Sequence, residues 1–199
     1  MKLIKNLLVA LVLFSAAGRL DASSVIEVSF DELSRASDTV ISGEVVSIVA
    51  DRDPNGYIYS TVTIRVSEAV PQELIGTDYA FRMVGGELDD ESTYIQGMPQ
   101  FSVGDGLVLF LTENPDSLLG PTVGLWQGVF HVETSSTDGS TTISDYERQL
   151  VIGVRESRLM RASRTVEPDA VGVAAGEITV QRAMDVGSFM DAVRDARSN

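Results

Sequence analysis

The chain has no cysteine, a single histidine, and no lysine after Lys5. Each absence removes a class of chemistry. Without cysteine there is no disulfide, no thiol nucleophile, no thiolate metal site and no lipidated N-terminal cysteine. Stability must come from packing alone. Without lysine in the body of the chain there is neither a Schiff base nor a phosphate-loop lysine. One histidine rules out a multi-histidine zinc site. Positive charge is missing altogether between Arg82 and Arg148, a block that carries eleven acidic residues.

The first 22 residues have the order of a secretory signal peptide. Lys2 and Lys5 precede the apolar run Leu7–Phe14, and small residues follow at Ser15–Gly18 and Ala22–Ser24. Spanning a bilayer takes about 20 apolar residues, more than this run supplies. Cleavage is expected after Ala22, giving an exported product, periplasmic or secreted, with no membrane insertion after cleavage. Removing Lys2, Lys5, Arg19 and Asp21 turns a net charge of −14 into −16, with 12 basic residues left against 28 acidic ones. All of those basic residues are arginines. Such a charge disfavours nucleic acid and anionic membranes and suits cationic surfaces or metal ions.

The remaining residues alternate as strands do. Ser29 and Glu32 form a capping-box pattern ahead of Phe30, Leu33 and Ala36, which predicts a short helix. Val40–Ala50 reads as a strand with Gly43 marking a bulge, and Asp51–Gly56 as a turn. Ile58, Val62, Ile64 and Val66 face one way, with Thr61, Thr63, Arg65 and Ser67 facing the other. Tyr79, Phe81 and Met83 repeat that period. Gly85–Phe101 is a long polar loop, and loops of that length without a function are uncommon. Leu107–Leu111 is apolar at every position, as expected of a strand buried on both faces. Val123–Glu133 is a strand interrupted at Gly128, and a short strand follows at Gln149–Val154. Residues 155–180 give no clear element, and Asp185–Arg197 predicts a terminal helix carrying Phe189 and Val193 on one side.

The shared order Ala36-x-Asp38, Gly43-x-Val45, a hairpin, Gly85-Gly86, Gly97-x-Pro99-x-Phe101-x-x-Gly104-Asp105 and Leu109-Phe110-Leu111 resembles a group of exported bacterial proteins of unknown function. It covers about residues 33–132. More distantly it is similar to netrin-like and metalloproteinase-inhibitor domains. That resemblance implies an OB-type barrel. The metal-chelating N-terminal cysteine of those inhibitors has no counterpart here, so their mechanism does not carry over.

Four features are candidates for function. Asp51, Asp53 and Asn55, followed by Gly56 and Ile58, match the start of a calcium loop. Its strongest ligand is missing, since Val62 stands where a bidentate glutamate belongs. Glu87, Asp89, Asp90 and Glu91 form an acidic cluster in the long loop, suited to a cation or an arginine-rich partner. His131 is the one conventional acid–base group and would be needed for any Ser-His-Asp triad, but no Gly-x-Ser-x-Gly elbow accompanies it. Arg155, Arg158, Arg161 and Arg164, spaced by three, form either a helical stripe that docks on the acidic block or an exposed linker.

The expected protein is therefore mostly β. Residues 1–22 are a signal peptide. Residues 23–154 form an OB-like barrel of five to six strands with a short N-terminal helix. Residues 155–199 are a C-terminal extension ending in a helix. The expected function is a non-enzymatic binding module that engages another exported protein through barrel loops, Gly85–Phe101 above all, with no cofactor. The alternatives are a weak calcium-binding domain and a hydrolase with a carboxylate site.

Overall fold

Leu107, Leu109 and Leu111 point into one core, and Val108 and Phe110 into another. This strand is the wall between two apolar layers, which is why its sequence has no polar position. The computed structural model describes residues 26–113, 120–162 and 183–198. The expected signal peptide and Arg164 lie outside them.

Helix α1 (Phe30–Ala36) is followed by β1 (Thr39–Arg52), β2 (Ile58–Val70) and β3 (Asp78–Val84). A small hairpin comes next, β4 (Gly86–Leu88) and β5 (Glu91–Thr93). Then follow β6 (Gly106–Leu111), β7 (Val129–Thr134), β8 (Thr141–Asp145), β9 (Leu150–Arg155), β10 (Arg158–Ala162) and helix α2 (Val186–Ser198). Eight strands make one antiparallel sheet in the order β10-β9-β8-β7-β6-β1-β2-β3. The chain is mostly β, as expected. The sheet has more strands than the expected five or six, however, and among the described residues its end strands β3 and β10 do not pair to close a barrel.

The expected capping box is present. Ser29 Oγ accepts from the Glu32 amide, and Glu32 accepts from the Ser29 amide. Gly43 sits at a register break between β1 and β2, where a Cβ would lie 2.2 Å from the Arg65 carbonyl oxygen. A second break follows between Val45 and Ser47. Bulges of this kind bend a strand and increase its twist. The long β1 can thereby pair with β6 along its first half and with β2 along its whole length.

One face of the sheet carries Val40, Val108, Phe110, Phe130, Ile143 and Val151, and both helices cover it. Phe189 of α2 lies at the centre, in ring contact with Phe30, Phe110 and Phe130 at 5.0–6.2 Å between centroids. The other face carries Ile41, Val45, Val62, Ile64, Phe81 and Met83 with the three leucines of β6. No helix covers it. Met98 and Phe101, from an irregular segment, and Leu125, from the 3-10 turn Leu125–Gly128, fold over it instead.

The described parts of residues 155–199 pack on the rest of the fold. β10 pairs with β9, and α2 fills the first core. The arginine series is corrected accordingly. Arg155 and Arg158 face each other across the β9–β10 hairpin, and Arg161 is on β10, so these three form no helical stripe. Arg161 does reach the acidic block, through an ion pair with Asp145 at 2.7 Å.

Candidate functional site

Two sequence motifs some 40 residues apart meet at one end of the sheet. The turn Asp53–Gly56 caps the β1–β2 hairpin, and the turn at Asp89-Asp90 caps β4–β5. Arg52 bridges them. Its guanidinium donates to Glu91 at 2.8 Å and to the Gly56 carbonyl at 2.9 Å. Beside it, Arg82 of β3 donates to Asp51 at 2.7 Å and stacks over the Tyr59 ring at 4.2 Å. Exposed pairs like these add at most about 1 kcal/mol each. Their effect is positional, since they hold one hairpin against the other.

Within the calcium-like segment, Asp51 and Asp53 are turned to different partners. Asp51 faces Arg82. Asp53 accepts from the Asn55 and Tyr57 amides at 3.0 and 2.8 Å and from the Asn55 side chain at 3.2 Å. Lost hydration raises the Asp53 carboxyl, but hydrogen bonds from Tyr57, Asn55 and Gly56 outweigh it and hold the group below its usual range. Among the described residues no three histidine, aspartate or glutamate side chains gather as a metal site.

The acidic cluster is spread over the small hairpin. Glu87 lies on β4, Asp89 and Asp90 in the turn, and Glu91 on β5. Asp89 takes a positive φ of 55° to make that turn. The Tyr94 hydroxyl donates to Glu87, and this bond raises the Tyr94 pKa. Counting both hairpins and β3, the end of the sheet carries Asp51, Asp53, Glu87, Asp89, Asp90 and Glu91 against Arg52 and Arg82. Tyr57 and Tyr94 are exposed there, at 62% and 55%.

Beneath the small hairpin lies a cleft of about 390 Å³. Ile48, Val62, Met83, Met98 and Phe101 supply apolar surface, and Ser60, Glu87, Thr93, Tyr94, Gln100 and Ser102 supply polar side chains. The hairpin comes close because of Gly86. Its φ is 134°, and a Cβ there would sit 2.1 Å from Ser60 Oγ. Ser60 is buried and donates to the Gly85 carbonyl at 2.8 Å, tying hairpin to sheet. Next to the lining residue Met98, Gly97 packs against the only tryptophan, Trp126, with 3.0 Å from its Cβ position to the ring.

The cleft was not legible as such in the sequence. A signal for it existed, since Met98 and Phe101 are apolar residues inside an otherwise polar loop, which is how a loop that folds back onto a core reads. Arg52 and Arg82, which set the two hairpins side by side, had no such signal.

His131 belongs to a different region. It is 7% exposed and stacks on Tyr146 with 6.2 Å between ring centroids. Burial, aided by the charge of Arg148, pushes its imidazole below the usual value against the opposing pull of Asp105, Glu133 and Asp145. Ser144 stands opposite it in register, but Ser144 Oγ is buried without a hydrogen-bond partner. Asp145 accepts from Gln149 and Arg161. These three residue types are close, yet no hydrogen bond joins them as a triad.

A second cleft, about 460 Å³, lies between Trp126, Tyr146 and Arg161. Its polar groups are largely tied to one another. Arg161 pairs with Asp145 and Glu27, while the Gln127 amide holds the Val28 amide and the Ile26 carbonyl.

No protein family, no curated protein and no solved structure matches this chain. No helix among the described residues is long and apolar enough to cross a membrane.

Proposed function

We propose that this protein is an exported, non-enzymatic binding module that engages another protein through the end of the sheet built by the β1–β2 and β4–β5 hairpins. The observation that carries this reading is the joining of the two hairpin tips by Arg52 over an open, partly apolar cleft. Loops held by a rigid sheet are the usual seat of binding. Exposed tyrosines inside a charged rim are the composition of protein contact surfaces. The acidic end favours a basic partner surface, because complementary charge speeds encounter and fixes register.

Export rests on the residue order of 1–22. The group of β6, β1, β2 and β3 around the second core is read as the OB-like part of the sheet, bent by the two β1 bulges. The likeness to exported bacterial proteins of unknown function is part of the same proposal and rests on the glycine and strand pattern.

The test is cross-linking in the exported fraction of the producing cell, with the wild type beside a Tyr57→Ala/Tyr94→Ala double variant of matched thermal stability. A partner recovered with the wild type and lost with the variant supports the reading. A partner recovered equally with both places the contact elsewhere on the molecule.

A further inference from the structure

We infer that the cleft beneath the β4–β5 hairpin receives an aliphatic side chain with a cationic head, an arginine or a lysine, from the partner. This rests on the binding reading above and adds the chemistry of what is bound.

The lining sets the requirement. Ile48, Val62, Met83, Met98 and Phe101 give a surface for methylene groups, and no basic residue lines the cleft. Glu87 is its only charged group. One Glu87 oxygen takes the Tyr94 hydroxyl. The other makes no hydrogen bond to a described residue. The nearby cations are engaged elsewhere, Arg52 with Glu91 and Gly56, and Arg82 with Asp51 and the Tyr59 ring. Neither fills the cleft from within the chain.

Three ligand types can be ranked on this basis. An anion meets Glu87 together with Asp89, Asp90 and Glu91 on the adjoining turn, and is repelled. A purely apolar group satisfies the floor but strips water from Glu87 without replacing its hydrogen bonds, which is costly for a carboxylate. An aliphatic cation satisfies both, its stem lying on apolar surface and its head making a charge-assisted hydrogen bond. The volume is near the low end of the roughly 300–1,000 Å³ typical of small-ligand clefts, which suits one long side chain better than a large cofactor.

The test uses small probes on the full-length exported protein. Pentylguanidinium, methylguanidinium and hexanoate are titrated separately. Binding is followed by methyl NMR of Met83 and Met98, which line the cleft. Pentylguanidinium should bind saturably and shift both methyls, with methylguanidinium and hexanoate each weaker by about 10-fold or more. Glu87→Gln should remove the preference for the cation, while Glu73→Gln, exposed beyond the far end of β2 and outside both the lining and the two hairpins, should change binding by less than about twofold. Thermal melts of both variants check that the fold is intact, and Tyr94→Phe, which frees Glu87, should retain cation binding. The inference is overturned if hexanoate binds as well as pentylguanidinium, if the stem makes no difference, if no probe saturates, or if Glu87→Gln leaves the cation preference intact. A partner that still cross-links at this end after Glu87→Gln would sink the inference and leave the binding reading standing. Probe binding with no partner in any fraction would do the reverse.

Discussion

Arg35 and Arg197 each close the end of the other's helix. Arg35 Nε on α1 donates to the Ala196 carbonyl of α2 at 3.1 Å. Arg197 on α2 donates to the Ser34 carbonyl at 2.8 Å and the Ser37 carbonyl at 2.6 Å at the end of α1. The last carbonyls of a helix have no intrahelical partner, and the helix dipole makes that end negative. Here two such ends meet, and the exchanged guanidinium groups neutralise both. Ser34 and Ser37 are buried beneath them, so the exchange also seals the first core.

Arg197→Ala should therefore destabilise the fold by about 2 kcal/mol, the range for hydrogen bonds to a charged group, and Arg35→Ala by about 1 kcal/mol. Because both act on one junction, the double variant should lose less than the sum of the singles. Urea unfolding of the four proteins measures this, and strict additivity would count against a shared junction.

Glycine substitutions should separate by position. At Gly43 a Cβ meets the Arg65 carbonyl oxygen at 2.2 Å, so Gly43→Ala forces β1 and β2 apart and should cost about 1–3 kcal/mol. At Gly153 nothing lies within 4 Å, and Gly153→Ala should be neutral or stabilising by up to about 1 kcal/mol. Melting temperatures of the pair decide it, and equal losses would refute the bulge geometry.

Acid should weaken the fold in two stages. The His131 imidazole is held below its usual 6.5, chiefly by burial, so the unfolded chain takes up that proton first. Its contribution is complete above pH 6.5 and is lost as pH falls toward the lower folded value. The carboxylates act lower. Hydrogen bonds from the Ser140 hydroxyl and amide and from Ser135 hold Asp138 at about 2, against 3.8 in the unfolded chain. The Glu113 amide and the Thr112 hydroxyl lower Asp38. Their contribution is complete above pH 3.8 and falls away as pH drops through the lowered folded values, about 2 for Asp138. Melting temperature against pH should show both stages, and His131→Gln should flatten only the upper one.

Millimolar calcium should leave the melting temperature unchanged. Asp53 already accepts three hydrogen bonds within its own turn, and Asp51 is paired with Arg82. Ligation would have to break these without a bidentate carboxylate at Val62 in return. A rise in melting temperature that Asp53→Asn abolishes would restore the calcium reading.

Much of the fold was legible because its signals are local. The Ser29–Glu32 box, the alternation of β2, the bulge at Gly43 and the apolar run of β6 each follow from neighbouring residues. The terminal helix was readable from Phe189 and Val193. What stayed hidden depends on distant partners. Strand β10 was illegible because Arg158–Ala162 lacks the strict apolar–polar alternation of a half-buried strand and is specified by pairing with β9. Among the described residues the expected closed barrel is not found: eight strands make one sheet that ends at β3 and β10, with α1 and α2 on one face.

The sequence by itself determined the strand content, the helix cap, the missing chemistries and the surplus of negative charge, since these depend on composition or on residues a few positions apart. Tertiary structure alone decided that the calcium-like turn and the acidic hairpin share one end, with Arg52 between them. It also decided that Asp51, Asp53 and Glu91 are held by arginines and amides, and that a cleft opens where Gly86 lets the hairpin approach Ser60. Such facts depend on contacts between residues tens of positions apart, and only the packing of the whole sheet sets those distances.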